Sequence, residues 1–264
     1  MTDTLVTTAF DTETGVARVT FNRPEALNAI NVPLAEAFLA AVQEINDLSG
    51  VRCIVLTGAG RAFMAGGDVS SMAGTSEQAG AAISAILDAV NPAILLLRSI
   101  NAPVIAAVRG VAAGAGLSLT LMADLVVAHD DSKFLVAYNG IGAVPDCGGS
   151  WALAHKLGAG RAAELMLLGR TLSAAEARDW GIVNVVATDS DYESLLNRII
   201  EKIAKGPTRA YGAYRQLIDR ANGNQLADHL EAERAAFLEM TRTEDFAEGV
   251  SAFLAKRPSE FRGR

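Results

Sequence analysis

The first two thirds of the chain alternate between two hydrophobic periods. Val16–Phe21 (VARVTF) alternates apolar and polar positions as a strand does. After the turn-rich NRPEALNA, the residues Leu34, Phe38, Ala41, Ile45 and Leu48 recur at helical spacing. Asn31 is placed to cap this helix, Pro33 is tolerated in its first turn, and Ser49-Gly50 is expected to stop it. Cys53–Thr57 (CIVLT) reads as a buried strand. The plan then repeats with the glycine-rich GAGRAFMAGGD, a helix between Glu77 and Ser99, and a strand at Val104–Val108. A third round runs through RGVAAGAG, a short helix over Leu117–Met122, a strand at Leu125–Ala128 and a segment near Lys133–Val136. Strands alternating with helices over short connections predict βαβ crossovers, a largely parallel sheet and an α/β fold.

From about Gly149 helical patterns follow one another. Ser173-x-x-Glu176 is a capping-box signature, and Leu195, Ile199, Lys202 and Ile203 share one stripe. Helices are expected near 191–205, 207–221, 225–240 and 244–255, with Val183–Val186 as the one strand-like interruption. The chain therefore divides into a core over 1–195 and a helical region over 196–264 that packs on the sheet or on another subunit.

Composition narrows the partners. Lys and Arg number 23 against 30 Asp and Glu, a net charge of −7 that repels polyanions, so no nucleic acid is expected. The N-terminal MTDTLVTTAFDTETG lacks the basic-then-apolar order of a secretion signal. The most apolar stretch, Ala81–Val108, is broken by Asp88, Asn91, Pro92, Arg98, Asn101 and Pro103, so it is not expected to supply the ~20 uninterrupted residues that span a bilayer. These features predict a cytoplasmic protein without a membrane partner. Cys53 and Cys147 are the only cysteines and lie near no histidine at ligand spacing, which fits a reducing compartment and predicts no metal site. Cys147 reads either as a reactive thiol beside Asp146 or as a small buried filler.

Two glycine-rich loops, Gly58–Asp68 and Gly110–Gly116, each follow an apolar strand, where α/β folds bind ligands. Neither carries a complete dinucleotide fingerprint, and no phosphate-loop motif occurs. Their small residues either permit tight turns or expose backbone N–H groups to a developing oxyanion. No G-x-S-x-G elbow is present; His155 and His229 read as helix-surface residues, and His129 follows a strand. Asp146, in GAVPDCGG, stands either as a cap of the following helix or as a base.

Six stretches in order bear on that choice: NRPEALNAI (22–30), GRAFMAGGD (60–68), NAPVIAAVRGVAAGAGLSLTLMADLVVA (101–128), GAVPDCGG (142–149), GRTLSAAEARDWGIVN (169–184) and FLAKRPSEF (253–261). Together they resemble the crotonase, or enoyl-CoA hydratase/isomerase, superfamily across nearly the whole chain. The resemblance implies a spiral of ββα units, with 196–264 as a trimerisation region in homotrimers or homohexamers. It implies an acyl-CoA thioester substrate and no cofactor beyond the coenzyme A that this substrate carries. It implies an oxyanion hole made by the N–H groups of Gly67 and Ala115, although most members carry glycine at the second place. It also implies that coenzyme A lies near Ala26, Ala65, Asp68 and Val69, with Arg23 and Lys256 available to its phosphates.

Hydratases of the family use two glutamates, whose positions here hold Ser118 and Tyr138, neither a good base near neutral pH. Asp146 falls where dienoyl-CoA isomerases and ring-epoxide phenylacetyl-CoA isomerases carry an aspartate, and where 4-chlorobenzoyl-CoA dehalogenases carry their nucleophile. Tyr138 stands where those dehalogenases place a tryptophan, while their histidine base has no counterpart, Asn91 being nearest. The expectation is an acyl-CoA isomerase with Asp146 as base and with Tyr138, Val144 and Trp151 shaping the acyl pocket. The alternatives are a hydratase, a dehalogenase-like hydrolase and a non-catalytic, coenzyme-A-binding oligomer.

Overall fold

A computed structural model describes residues 4–221 and 226–260. β1 (Val6–Asp11) and β2 (Val16–Phe21) form an antiparallel hairpin that pairs Val6 with Phe21. Asn31 accepts from the Leu34 N–H at 3.0 Å and caps α1 (Val32–Asp47), which ends before Ser49-Gly50, with Leu48 already extended.

Three successive turns of chain then follow one plan. β3 (Cys53–Gly58) and β4 (Ala62–Met64) lead to α2 (Ser76–Ser99), and β5 (Val104–Val108) and β6 (Val111–Ala113) lead to α3 (Ala115–Met122). β7 (Leu125–His129) and β8 (Lys133–Leu135) lead to α4 (Gly149–Leu168). The first strand of each pair joins a six-stranded sheet, β1-β2-β3-β5-β7-β10, and the second joins a four-stranded sheet, β4-β6-β8-β9, completed by β9 (Thr171–Ser173) and β10 (Val185–Ala187). Pairing is parallel except for the β1/β2 and β8/β9 pairs. This is the spiral of ββα units expected above. The second sheet has no periodic signature because β4, β6 and β8 are only three residues long.

α2 corrects one expectation. It runs unbroken through Asp88, Asn91, Pro92 and Arg98, started by a full capping box between Thr75 and Gln78. By length and composition it is apolar enough to cross a membrane, yet Ile83, Leu87, Val90 and Ile94 are buried in the core, which also takes in Leu34, Phe38 and Val42 of α1.

α5 (Ala174–Asp179) carries the expected capping box of Ser173 and Glu176, and the strand expected at Val183–Val186 lies slightly later, at β10. α6 (Tyr192–Ala204) straddles residue 195 and packs on the six-stranded sheet. Its fully buried stripe is Tyr192, Leu196, Ile200 and Ala204, with Leu195, Ile199 and Ile203 half-buried beside it, so Lys202 is not on the packed face. α7 (Thr208–Ala221) is pinned by Arg215, whose buried guanidinium reaches Asp124 and the carbonyls of Leu97, Ile100 and Ala102. α8 (Leu226–Met240) and α9 (Glu244–Leu254) close over the loops that follow β4 and β8.

Candidate active site

The two glycine-rich loops meet back to back. Gly66 and Gly114 both hold positive φ, 101° and 51°, and a Cβ on Gly114 would lie 3.4 Å from the Gly66 Cα. The next residue in each loop is Gly67 and Ala115. Gly67 is held by a bridge to Ile30, in which the Ile30 N–H bonds the Gly66 carbonyl and the Asp68 N–H bonds the Ile30 carbonyl, both at 2.7 Å. That pattern leaves the Gly67 N–H without an acceptor among the described residues. Ala115 opens α3, so its N–H lies in the first turn and has no helical partner. It has no positive φ, so a residue with a methyl group is accommodated at this helix start. The arrangement offers two free amides, one with a helix dipole behind it.

Tyr138 faces this junction. It begins a short 3-10 turn after Ala137, itself at φ 65°, and a Cβ on Gly114 would come within 3.9 Å of the Tyr138 Cζ. The buried hydroxyl donates to Asp146 Oδ1 and lies 3.5 Å from Ser118 Oγ. The two positions that hold glutamates in hydratases therefore hold a hydroxyl pair 3.5 Å apart, and the carboxylate bonded to that pair is Asp146.

The fate of Asp146 decides between cap and base. Only 8% of it is exposed, and its side chain makes no bond to the N-terminus of α4. Cys147 and Gly148 both lie in the left-handed region (φ 54° and 77°), which turns the chain so that the Asp146 carboxylate points at Tyr138. Burial raises the Asp146 carboxyl above its ordinary range, against the pull of the Tyr138 and Cys147 hydrogen bonds. Burial likewise raises the Tyr138 phenol, with the Asp146 charge adding to it, so the phenol stays protonated and donating. Cys147 is a buried filler whose thiol burial also pushes up.

Glu233 of α8 does the capping instead. It accepts from the Gly148 N–H at 2.6 Å, the Ser150 N–H at 2.9 Å and Ser150 Oγ at 2.6 Å. Burial, with the nearby Asp146 charge adding to it, pushes the Glu233 carboxyl up to about 7. His229 is not the surface residue expected, since its Nε2 lies 2.8 Å from Ser150 Oγ. Glu233 was absent from the sequence reading, although it falls on the stripe Leu226, Leu230, Glu233, Phe237, where a carboxylate at a core-facing position is the available signal. Asn28 was absent too. It is fully buried, and its amide bonds the carbonyls of Ala59, Ala62 and Phe63, holding the 22–30 loop against the 58–63 turn.

The remaining predicted residues fall in two groups. Ala65 donates its N–H to the carbonyl of Leu27, the residue after Ala26, and Val69 follows Asp68 at the start of a 3-10 turn. Arg23 is spent within the protein, bonding Asp68 at 2.7 Å and the Ala29 carbonyl at 3.0 Å. Burial alone would raise Asp68, but bonds from Ser70 and Arg23 bring its carboxyl below the ordinary value. A cleft of about 860 Å³ lies away from all of these, along the β1–β2 hairpin. A second, of about 720 Å³, runs between the 72–79 segment and α9. It reaches Gly67 through Met72, whose Cε a Cβ on Gly67 would meet at 2.6 Å. Phe246 lines this cleft and meets Phe237 edge to face, as Phe237 in turn meets Tyr138. Lys256 follows Ala255 at the cleft's rim and is exposed. Val144 is half-buried against the core. Trp151, expected in the acyl pocket, stacks on His155 and lines a cleft of about 540 Å³ between α4 and α7.

Comparison with known proteins agrees with this geometry. A family model described as enoyl-CoA hydratase/isomerase matches residues 11–264. The chain is 38% identical over 256 residues to 1,2-epoxyphenylacetyl-CoA isomerase of Escherichia coli (strain K12), covering 96% of this chain and 97% of that protein. It is 36% identical to a probable enoyl-CoA hydratase of Rhodobacter capsulatus, covering 98% of each. Among solved structures, an enoyl-CoA hydratase from Mycobacterium avium subsp. paratuberculosis K-10 superposes with a TM-score of 0.87 at 30% identity, covering 98% of each chain. With its two sheets, its paired glycine loops and this similarity along its length, the chain belongs to the enoyl-CoA hydratase/isomerase family.

Proposed function

We propose that this enzyme is an acyl-CoA isomerase in which Asp146 is the base and the Gly67 and Ala115 amides hold the thioester oxygen. Asp146 takes a proton from the carbon next to the thioester, and the electron pair moves into the enolate, whose oxygen rests on the two amides. The same carboxyl returns the proton further along the acyl chain, leaving a shifted double bond. The observation that carries this reading is the orientation of Asp146: a buried carboxylate, relieved of capping, bonded to Tyr138, whose ring lies against Gly114 of the second glycine loop. Its raised carboxyl suits a base working near neutral pH. Ser118 and Tyr138 lack the carboxylates that activate water, which disfavours hydration.

The cleft beside Met72 is the proposed acyl and pantetheine path, with Ala26, Ala65, Asp68 and Val69 along the coenzyme A. Lys256, exposed at the rim, is better placed for phosphate than Arg23, which would have to leave Asp68. Association into trimers or hexamers is supported by the exposed Leu167, Leu168, Tyr214 and Leu217 on the end of α4 and on α7. The two buried free thiols suit a reducing compartment, in keeping with a cytoplasmic enzyme. Ring-epoxide isomerisation is the second reading, favoured by the P-D-x-G-G stretch and the similarity to the Escherichia coli isomerase.

The test is a panel of 3-enoyl-, dienoyl-, crotonyl-, 4-chlorobenzoyl- and 1,2-epoxyphenylacetyl-CoA offered to wild type and Asp146→Asn. Isomerisation or epoxide conversion lost in the variant supports the reading. Crotonyl-CoA hydration unchanged by the substitution overturns it, and coenzyme A binding without any turnover points to the non-catalytic alternative.

A further inference from the structure

Asp146 lies two residues before the N-cap of α4, which runs as regular helix to a break at Gly158, and an aspartate there would ordinarily be drawn onto the free backbone N–H groups. The N-cap residue itself, Gly148, has no side chain with which to satisfy them. The acceptor comes from 85 residues downstream, in the carboxylate of Glu233. One oxygen takes the Gly148 N–H, and the other takes the Ser150 N–H and hydroxyl. Glu233 is 5% exposed and reaches this point only because α8 presents it between the core residues Leu230 and Phe237. With those donors occupied, the Asp146 carboxylate is left to the Tyr138 hydroxyl and the adjacent Cys147 thiol.

We infer that Glu233 is a positioning residue: by taking over the cap of α4, it keeps Asp146 turned toward Tyr138 and the reacting carbons. The inference rests on the reading of Asp146 as base. It assigns a catalytic consequence to a residue on a C-terminal helix that touches neither substrate nor the oxyanion amides. His229 and Ser150 serve the same end, since the imidazole on Ser150 Oγ holds the hydroxyl that shares Glu233 Oε1.

The experiment compares Glu233→Leu, Glu233→Gln and Asp146→Asn for kcat and KM on whichever thioester the wild type isomerises. Crystal structures of the Glu233 variants accompany the kinetics. In Glu233→Leu, Asp146 is expected to swing onto the Gly148 and Ser150 N–H groups. kcat then falls about tenfold, the ratio that one capping interaction imposes on a two-position side chain. KM stays within about threefold, since the cleft and the two amides are untouched. Glu233→Gln keeps one acceptor oxygen and falls between wild type and Glu233→Leu. A kcat within twofold of wild type in both variants overturns the inference, as does a KM that rises while kcat holds. If Glu233→Leu does not fold, Glu233→Gln decides by the same kcat criterion. Full activity in Asp146→Asn defeats the reading of the base itself, and with it the inference. An inactive Asp146→Asn beside fully active Glu233 variants defeats the inference alone.

Discussion

Replacing Tyr138 by phenylalanine isolates the electrostatic part of the site. The ring and its edge-to-face contact with Phe237, 6.2 Å between centroids, are kept. Ser118 Oγ retains its bond to the Gly114 carbonyl at 3.3 Å, so no new donor is stranded there. What disappears is the hydroxyl that donates to Asp146 Oδ1. A hydrogen bond to a charged group contributes about 1.5–3 kcal/mol. This bond favours the ionised carboxylate, so its loss raises the folded carboxyl further above the ordinary range to which burial has already lifted it. The acid limb of kcat/KM therefore moves to higher pH. At a pH below both limbs the variant is expected to fall about 10- to 100-fold below wild type. Above both limbs, where Asp146 is ionised in either enzyme, the two rates stay within a few-fold. The assay is the pH profile of kcat/KM on a substrate the wild type isomerises. A limb that stays in place or moves to lower pH refutes the reasoning, as does a plateau that falls as far as the acid side.

Other perturbations test the scaffold around that carboxylate. Asn28→Ala strands the carbonyls of Ala59, Ala62 and Phe63, and is expected to cost about 3 kcal/mol in urea unfolding; a loss under about 1 kcal/mol contradicts the clamp. Gly116→Ala would drive a methyl group into the Met64 carbonyl oxygen and displace the neighbouring Ala115 amide. Its stability should drop by about 1–3 kcal/mol and its kcat by about a hundredfold, and unchanged kcat would count against the Ala115 amide. Glu233 carries a pH dependence of its own. Its carboxyl is raised when folded, from 4.5 to about 7, so its contribution to stability is fully present below about 4.5 and is lost as pH rises through about 7. The stability difference between wild type and Glu233→Gln should therefore shift against wild type, by up to about 3 kcal/mol, between pH 4.5 and 8. Parallel urea-unfolding results at the two ends would contradict it.

Elements with a full period of their own were legible in the sequence. β2, α1, β5 and the Ser173–Glu176 capping box announce themselves in local pattern, and Asn31 caps α1 as its position predicts. The four-stranded sheet was not, because three-residue strands such as β4 and β6 acquire their identity only by pairing with each other. The site divides in the same way. Gly67, Ala115 and Asp146 stand in contiguous motifs, whereas the orientation of Asp146 depends on Glu233, a contact across 85 residues that no local window contains. Trp151, adjacent to the motif in sequence, lines a cleft between α4 and α7 whose other walls no local window contains.

Isotope transfer reaches the central claim most directly. Wild type and Asp146→Asn are incubated with a 3-enoyl-CoA in deuterated water, and both the bond shift and the loss of a proton from the carbon next to the thioester are followed by proton NMR. If a single carboxylate carries the proton, wild type converts the substrate, and the variant loses about 10²–10⁴-fold in both readouts while its KM is unchanged. A variant that shifts the bond, or exchanges that proton, at the wild-type rate contradicts the account.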